Sequence, residues 1–520
     1  MNKAIFLDRD GVINVDKNYV HKISDFEFIE GSVAALKNFK EMGYKLIIIT
    51  NQSGIGRGFY TIEDYKKLKK EIDRSIKVAG IKIDAEYFCP HSPDDRCRCR
   101  KPGTYLIEKA VKRFNIDISE SYFVGDKTSD IRAGKDAGLK SVLVKTGKAG
   151  KDKRYYVNPD FMFDDLSAFS THLKNNWAPK VLYIGNFNFE NHLRGRNLFK
   201  GLKENDIDVK LISGKRYFSM LFSLLFKKFD VILTTGKPPT LLAIMTRFWH
   251  KKKIFFDVYI SDYENLVINR KLVKDGTWKA RLLYFIDKYT CEKSDAVFLD
   301  TDKHSLWYYT YFSLDAKKFS HVLIGSDDER FHEIKVKKGK RFNVLFFGSF
   351  VRGHGVDVIL KAAKLLEEEQ IDFIFAGKGI VFDEMVEFSK KIENKNVEFL
   401  GWVEQKKLPQ LIAKSDVCLG VFDPNEIKIR RSIPTKLFEC APMRRILITG
   451  DTPGMEGIME HKVNGMLPKL GDEKDLAKCI LEVYKDKKLK DKLEKNTYKL
   501  YEERFKTKMI GKQLLDLIRK

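Results

Sequence analysis

Residues 4–14 read Ala4-Ile5-Phe6-Leu7-Asp8-Arg9-Asp10-Gly11-Val12-Ile13-Asn14. A short apolar run ending in a turn signal reads as a buried strand of a parallel sheet. It stops at two aspartates spaced i, i+2, which lean to the same side of an extended backbone. The carboxyl end of such a strand is where an open α/β sheet places its ligand. Two carboxylates at that point can divide work, one as nucleophile or metal ligand and the other as acid and base. A turn with two solvated aspartates is the plainer reading of the same residues. Gly11 frees the turn that follows.

Working outward, residues 44–50 form a second strand pattern that runs into Thr50-Asn51-Gln52-Ser53-Gly54-Ile55-Gly56-Arg57-Gly58. Small hydroxyl, amide and glycine residues at a strand end suit phosphate contact. Helical spacing over 61–79 and 105–114 alternates with strand patterns at 83–88, 122–126 and 141–145, and 159–164 closes the series. This alternation predicts a doubly wound parallel sheet. The fourth strand again ends in a carboxylate, Asp126, with Asp130 four residues on. Between the third strand and the next helix, Cys89, His91, Cys97 and Cys99 fall within eleven positions. Three thiols and an imidazole fit one tetrahedral zinc, and four protein ligands leave no open position, so the site reads as structural. The loop delivers Arg100 and Lys101, two cations able to hold a phosphate.

The chain has 520 residues, too many for a single core. Strand-then-glycine patterns restart at residue 180 and again at 343, so the expected domains are 1–176, 177–339 and 340–520, with a short join around Asn175-Asn176-Trp177-Ala178-Pro179. Residues 147–158 are basic and polar like a linker, but the strand after them belongs to the first domain. The formal net charge is +24, which points to an anionic partner. No recognition-helix or zinc-finger pattern supports nucleic acid. Basic, aromatic stretches at 215–228 and 248–253 suit the surface of an anionic membrane, or equally a core helix with solvated basic ends. No run approaches the ~18 apolar residues of a spanning helix, and Met1-Asn2-Lys3 enters a strand with no signal-peptide core. The expected location is cytoplasmic, with peripheral contact at the inner membrane face. Of seven cysteines, three crowd into one loop, a pattern that in a cytosolic chain favours metal over disulfide.

The set Asp8-x-Asp10, Thr50, Lys101 and Gly125-Asp126…Asp130 resembles the four motifs of the haloacid dehalogenase superfamily of phosphatases. The wording of residues 6–14 and 50–57, and the Cys/His loop before Arg100-Lys101-Pro102, look like the D-glycero-D-manno-heptose 1,7-bisphosphate phosphatases. Histidinol-phosphate phosphatases share the pattern and stand as the alternative. The resemblance implies that Asp8 attacks phosphorus and becomes an aspartyl-phosphate, that Asp10 serves as acid and then base, and that Thr50 and Lys101 bind the phosphoryl group. It implies magnesium held by Asp8, the Asp10 carbonyl and Asp126. Arg100 and Asn51 would face the sugar or its second phosphate.

The remainder resembles a GT-B glycosyltransferase of the family 4 type, on Gly348-Ser-Phe-Val-Arg-Gly-His-Gly355, Phe375-Ala-Gly-Lys-Gly379, Phe399-Leu-Gly-Trp402 and Pro434-Thr-Lys-Leu-Phe-Glu439. That family has two Rossmann-like domains with a nucleotide-sugar between them. Glu439 would hold the donor ribose, and Lys436 and Arg352 would face the diphosphate. The chain departs from the family at Arg431, where an acidic residue is usual, at His354, where lysine is usual, and in the turn over 441–445. The expectation is a bifunctional enzyme: a magnesium-dependent sugar-bisphosphate phosphatase fused to a transferase that moves a sugar, heptose if the two activities share a pathway, to a glycan or lipid-linked acceptor. The alternative is a phosphatase carrying a transferase-like module used only for binding or membrane docking.

Overall fold

The computed structural model describes residues 1–337, 339–425 and 430–520. It divides into two units, in the main Met1–Ala178 and Pro179–Ile518. In the first unit, β1 (Ala4–Leu7), β2 (Lys45–Asn51), β3 (Ala85–Cys89), β4 (Tyr122–Gly125), β5 (Lys140–Val144) and β6 (Phe161–Phe163) form one sheet in the order β3-β2-β1-β4-β5-β6. Every pairing is parallel. All four residues of β1 are fully buried, because a parallel sheet is covered on both faces and its central strand has no polar side. The chain runs outward from β1 to β3 and then returns to β4 on the other side of β1. The crevice between the carboxyl ends of β1 and β4 is therefore the switch point at which such sheets bind ligands. Asp8 and Asp126 are the first residues beyond those two strands.

The second unit holds two further parallel sheets. The first comprises β7 (Val181–Gly185), β8 (Val209–Ser213), β9 (Val231–Thr235), β10 (Lys253–Asp257), β11 (Ala296–Leu299) and β12 (Phe319–His321), in the order β12-β11-β10-β9-β7-β8. The second comprises β13 (Phe342–Phe347), β14 (Ile371–Ala376), β15 (Val397–Gly401), β16 (Val417–Leu419) and β17 (Ile446–Ile448), in the order β15-β14-β13-β16-β17. The end of the chain, over residues 487–519, is broken into two helices. The helix Lys487–Leu500 passes into a wide turn, Tyr501–Phe505, and the backbone is extended at Lys506 before a new helix, Thr507–Arg519. Asp328 accepts the Thr507 N–H at 2.8 Å and so caps the new start. This last helix crosses back onto the helix Leu193–Glu204, where two glycines meet: a Cβ on Gly511 would lie 2.0 Å from the Gly201 backbone. The crossing ties both sheets of this unit into one compact body.

Candidate active sites

In the first unit, a cavity of about 500 Å³ opens over the switch point and is lined by Asp8, Asp10, Thr50, Asn51, Arg100 and Lys101 among others. Six residues expected to work together from scattered motifs thus share one wall. The Lys101 ammonium is buried, donates to the Ile49 carbonyl at 2.8 Å and forms ion pairs with Asp8 at 2.9 Å and Asp130 at 2.7 Å. Burial opposes charge on Asp8, yet Lys101 and Lys127 outweigh it and hold the carboxyl below the ordinary aspartate value. Burial would likewise lower Lys101, but Asp130 and Asp8 raise it above the ordinary lysine value.

Asp10 is oriented rather than paired away. It accepts from the Arg9 guanidinium and from Asn14 at 2.9 Å on Oδ1, and from Gln52 Nε2 at 3.1 Å on Oδ2. Gln52 also donates to Thr50 Oγ1 at 2.9 Å and accepts from the Tyr60 hydroxyl at 2.6 Å. Gln52 therefore links the second aspartate to the expected phosphoryl-binding threonine, a contact that the Thr50–Gly58 stretch does not reveal by its sequence.

Asp126 is fully buried, and its Oδ1 has no hydrogen-bond partner among the described residues. Its Oδ2 accepts the Lys148 N–H at 2.6 Å. Burial, reinforced by Asp130 and Asp8 and only partly offset by Lys127, pushes this carboxyl up to about 7. Oxygens of Asp8, Asp126 and Asp130 lie within 4.8 Å of one another. Two glycines make room: Gly11, at φ +89°, and Gly147, at φ +62°, would carry Cβ atoms 2.6 and 2.2 Å from Asp126 Oδ2. A buried carboxylate oxygen without a donor, beside further carboxylates, fits a hard divalent cation.

Asn51 lines the cavity and also holds the Lys101 backbone. Its Oδ1 accepts the Lys101 N–H at 3.0 Å and its Nδ2 donates to the Lys101 carbonyl at 3.3 Å. Both bonds grip the backbone of the residue whose ammonium holds Asp8. The basic segment around 147–158 is part of the cavity: Lys148, Lys151 and Arg154 line it. Asp152 accepts the Thr128 N–H and hydroxyl at 2.8 and 2.7 Å, and the Gly150 N–H reaches the Asp126 carbonyl at 2.7 Å. The loop is thereby pinned beside Asp126. Arg100 also lines the cavity, and its Nη1 is buried with no hydrogen-bond partner among the described residues.

The Cys/His loop closes on itself. His91 Nδ1 lies 3.6 Å from Cys89 Sγ and 3.2 Å from Cys99 Sγ, while the three sulfurs are 3.4–3.5 Å apart. Four donors bonded tetrahedrally to one zinc stand about 3.5 Å apart, as follows from metal–ligand bonds of about 2.0–2.3 Å.

In the second unit, a cavity of about 500 Å³ lies between the two sheets, lined by Asn265, Asn269 and Arg270 on one side and by Gly353, His354 and Pro434 on the other. Asn265 and Asn269 belong to a π-helical stretch, Glu264–Asn269, a geometry frequent at functional sites. His354 is a neutral imidazole: burial, with the Lys436 charge adding to it, lowers it to about 4. Lys436 is buried, bonds the Gly420 carbonyl at 3.2 Å and sits 4.3 Å from the Phe346 ring centroid. Burial brings it down to about 8 and brings Glu439 up to about 7. Arg352 instead projects into solvent, 82% exposed and 3.6 Å from Glu384, because the short helical turn that carries it directs Gly353 and His354 inward. Arg431 is paired from the other sheet's half of the unit: Glu264 meets its Nη2 at 2.5 Å, and its guanidinium stacks 4.0 Å from the Trp307 ring centroid, while Nε and Nη1 are buried without a hydrogen-bond partner among the described residues.

Residues 98–169 match the HAD-hydrolase-like family model, and residues 327–500 match glycosyl transferases group 1. The chain is 46% identical over 168 residues to the D-glycero-beta-D-manno-heptose-1,7-bisphosphate 7-phosphatase of Pasteurella multocida (strain Pm70), covering 30% of this chain and 91% of that one. It is 49% identical over 144 residues to the enzyme of the same name from Helicobacter pylori (strain ATCC 700392 / 26695), covering 28% and 83%. The crystal structure of Anabaena Alr3699/HepE in complex with UDP covers 65% of this chain and 99% of its own, at 13% identity and a TM-score of 0.50; at that identity the likeness is one of fold, the GT-B fold. The chain joins a haloacid dehalogenase-type phosphatase unit to a unit of GT-B fold that carries the match to glycosyl transferases group 1. By its first unit it belongs to the family of D-glycero-D-manno-heptose-1,7-bisphosphate 7-phosphatases.

Proposed function

We propose that the first unit removes the 7-phosphate of D-glycero-D-manno-heptose 1,7-bisphosphate, leaving heptose 1-phosphate. The observation that carries this reading is the pairing of a buried, ionised Asp8 held by Lys101 with an Asp10 oriented by three donors. Asp8 attacks phosphorus, the bond from phosphorus to the sugar oxygen breaks, and Asp10 gives its proton to the departing oxygen. Asp10, now a carboxylate, takes a proton from water as that water attacks the aspartyl-phosphate, releasing phosphate and restoring Asp8. Thr50 and Lys101 hold the phosphoryl oxygens. Magnesium would be held by Asp8 and Asp126 with the Asp10 carbonyl, and supplies the positive charge that lets a phosphate dianion approach a carboxylate. Arg100, Lys148, Lys151 and Arg154 form a second cationic group in the cavity, suited to the phosphate that stays on the sugar. Zinc on Cys89, His91, Cys97 and Cys99 orders the loop that carries Arg100 and Lys101. The test is phosphate release, with magnesium, from both anomers of heptose 1,7-bisphosphate, fructose 1,6-bisphosphate and histidinol phosphate. Preference for a heptose bisphosphate supports the reading, and preference for histidinol phosphate refutes it.

The second unit, on the same proposal, transfers a sugar from a nucleotide-sugar to a glycan or lipid-linked acceptor during surface-glycan synthesis, working as a peripheral protein at the inner membrane face. Heptose is the first donor sugar to test, since heptose 1-phosphate is the form from which a nucleotide-heptose is made. Glu439 binds the donor ribose and Lys436 the diphosphate. A second reading has its own support: with His354 neutral and Arg431 sequestered by Glu264, the module binds without transferring. Donor turnover by the full chain carrying Asp8→Asn, which silences the phosphatase, separates the two.

A further inference from the structure

The helix Tyr217–Phe226 is apolar on two faces. Met220 and Leu224 are buried against Leu182 and Ile184 of β7. The opposite stripe, Phe218, Phe222 and Phe226 at i, i+4 and i+8, faces outward, with Phe218 83% and Phe226 69% exposed. The helices Lys237–Met245 and Arg247–His250 pack beside it, and the Phe229 and His250 rings, 6.2 Å apart, join the two segments. These neighbouring helices expose further large apolar side chains, Met245, Phe248 and Trp249, by 75, 79 and 67%. A helix apolar all round is ordinarily buried, and a contiguous exposed apolar face marks an interaction surface.

The surrounding charge identifies the partner. Residues 214–229 and 245–253 contain eight lysines and arginines and no aspartate or glutamate. Arg247 pairs with Asp295, and the remaining excess of cations around exposed aromatic rings complements a surface of phosphate headgroups over an acyl layer. The helix has 10 residues, about 15 Å in length, and no helix among the described residues is long and apolar enough to cross a membrane. We propose that this face docks the chain on an anionic lipid bilayer. Phe218, Phe222, Phe248 and Trp249 enter the boundary between headgroups and acyl chains, and Lys215, Arg216, Lys227 and Lys228 pair with lipid phosphates. The inference rests on the peripheral location proposed above and names the surface responsible for it.

The experiment is co-sedimentation of the full chain with vesicles containing phosphatidylglycerol, against vesicles of phosphatidylcholine alone, over a series of salt concentrations. The wild type is expected to bind only the anionic vesicles and to be released as salt rises. Two variants, Phe218→Ser/Phe222→Ser/Trp249→Ser and Lys227→Glu/Lys228→Glu, are each expected to weaken binding by about tenfold or more, with phosphatase turnover and thermal midpoints retained. The charge variant keeps every packed apolar residue, so it tests the surface even if the triple variant unfolds. Wild-type binding that both variants retain overturns the assignment of this face while leaving a peripheral location standing. No wild-type binding overturns both. A wild-type dimer that the triple variant converts to monomer, with no vesicle binding, makes the face an interface between copies of the chain and overturns the proposal.

Discussion

Replacing Asn51 by alanine separates two roles for one residue. The side chain lines the cavity, but its amide is spent on the Lys101 backbone, accepting the N–H at 3.0 Å and donating to the carbonyl at 3.3 Å. A partly buried hydrogen bond contributes about 1 kcal/mol, so the pair contributes about 2 kcal/mol to holding Lys101 in place. That ammonium donates to the Ile49 carbonyl and pairs with Asp8 and Asp130; a loosened backbone shifts it relative to all three. The cost falls where Lys101 acts on developing charge during phosphoryl transfer. Asn51→Ala should therefore lower kcat by about 10–30-fold, from about 1.4 kcal/mol per tenfold, and leave KM within about twofold. The thermal midpoint of the first unit should fall by several degrees. The assay is steady-state phosphate release over a range of bisphosphate concentrations. A raised KM with unchanged kcat would refute the reasoning and return Asn51 to direct contact with the sugar.

Asp8→Asn is expected to abolish phosphate release while far-UV circular dichroism stays that of the wild type; near-normal turnover sinks the nucleophile assignment. Cys97→Ser removes one of four converging donors, so zinc content should drop well below one per chain, with a lower midpoint and weaker activity as Arg100 and Lys101 lose their anchor; unchanged metal content and stability would argue against a zinc site. Burial pushes the Glu439 carboxyl up to about 7 in the folded chain, from an ordinary 4.5. Between those values the folded state holds the extra proton, so stability of the second unit falls as pH rises from 4.5 toward 7. Glu439→Gln should flatten that slope in a midpoint-against-pH profile, and a slope that survives the substitution shows that another group causes it.

The fold and much of the chemistry were legible in the sequence wherever the signal is local. β1 and its two aspartates announce themselves because a buried parallel strand must be apolar throughout and must end where its ligand begins. The Cys/His set is readable for the same reason, since all four donors lie within one loop. Asp126, at the end of β4, follows the same strand-then-carboxylate pattern as Asp8.

What only the tertiary structure decided depends on residues far apart in the chain. Lys101 between Asp8 and Asp130, the Asn51 grip on its backbone, and the Gln52 link from Asp10 to Thr50 are contacts that no periodicity encodes. The segment over 147–158 has a linker's composition and becomes a cavity wall only because Asp152 and Gly150 tie it to Thr128 and Asp126. Arg431 breaks its motif in sequence, and the compensating Glu264 lies 167 positions away. The stretch from Lys215 to Lys228 allowed a buried helix or a surface one with equal ease. Composition sets how much apolar area a helix carries, while the neighbours that the fold supplies set how much of it is covered, and here they cover one face and leave the phenylalanine stripe to solvent.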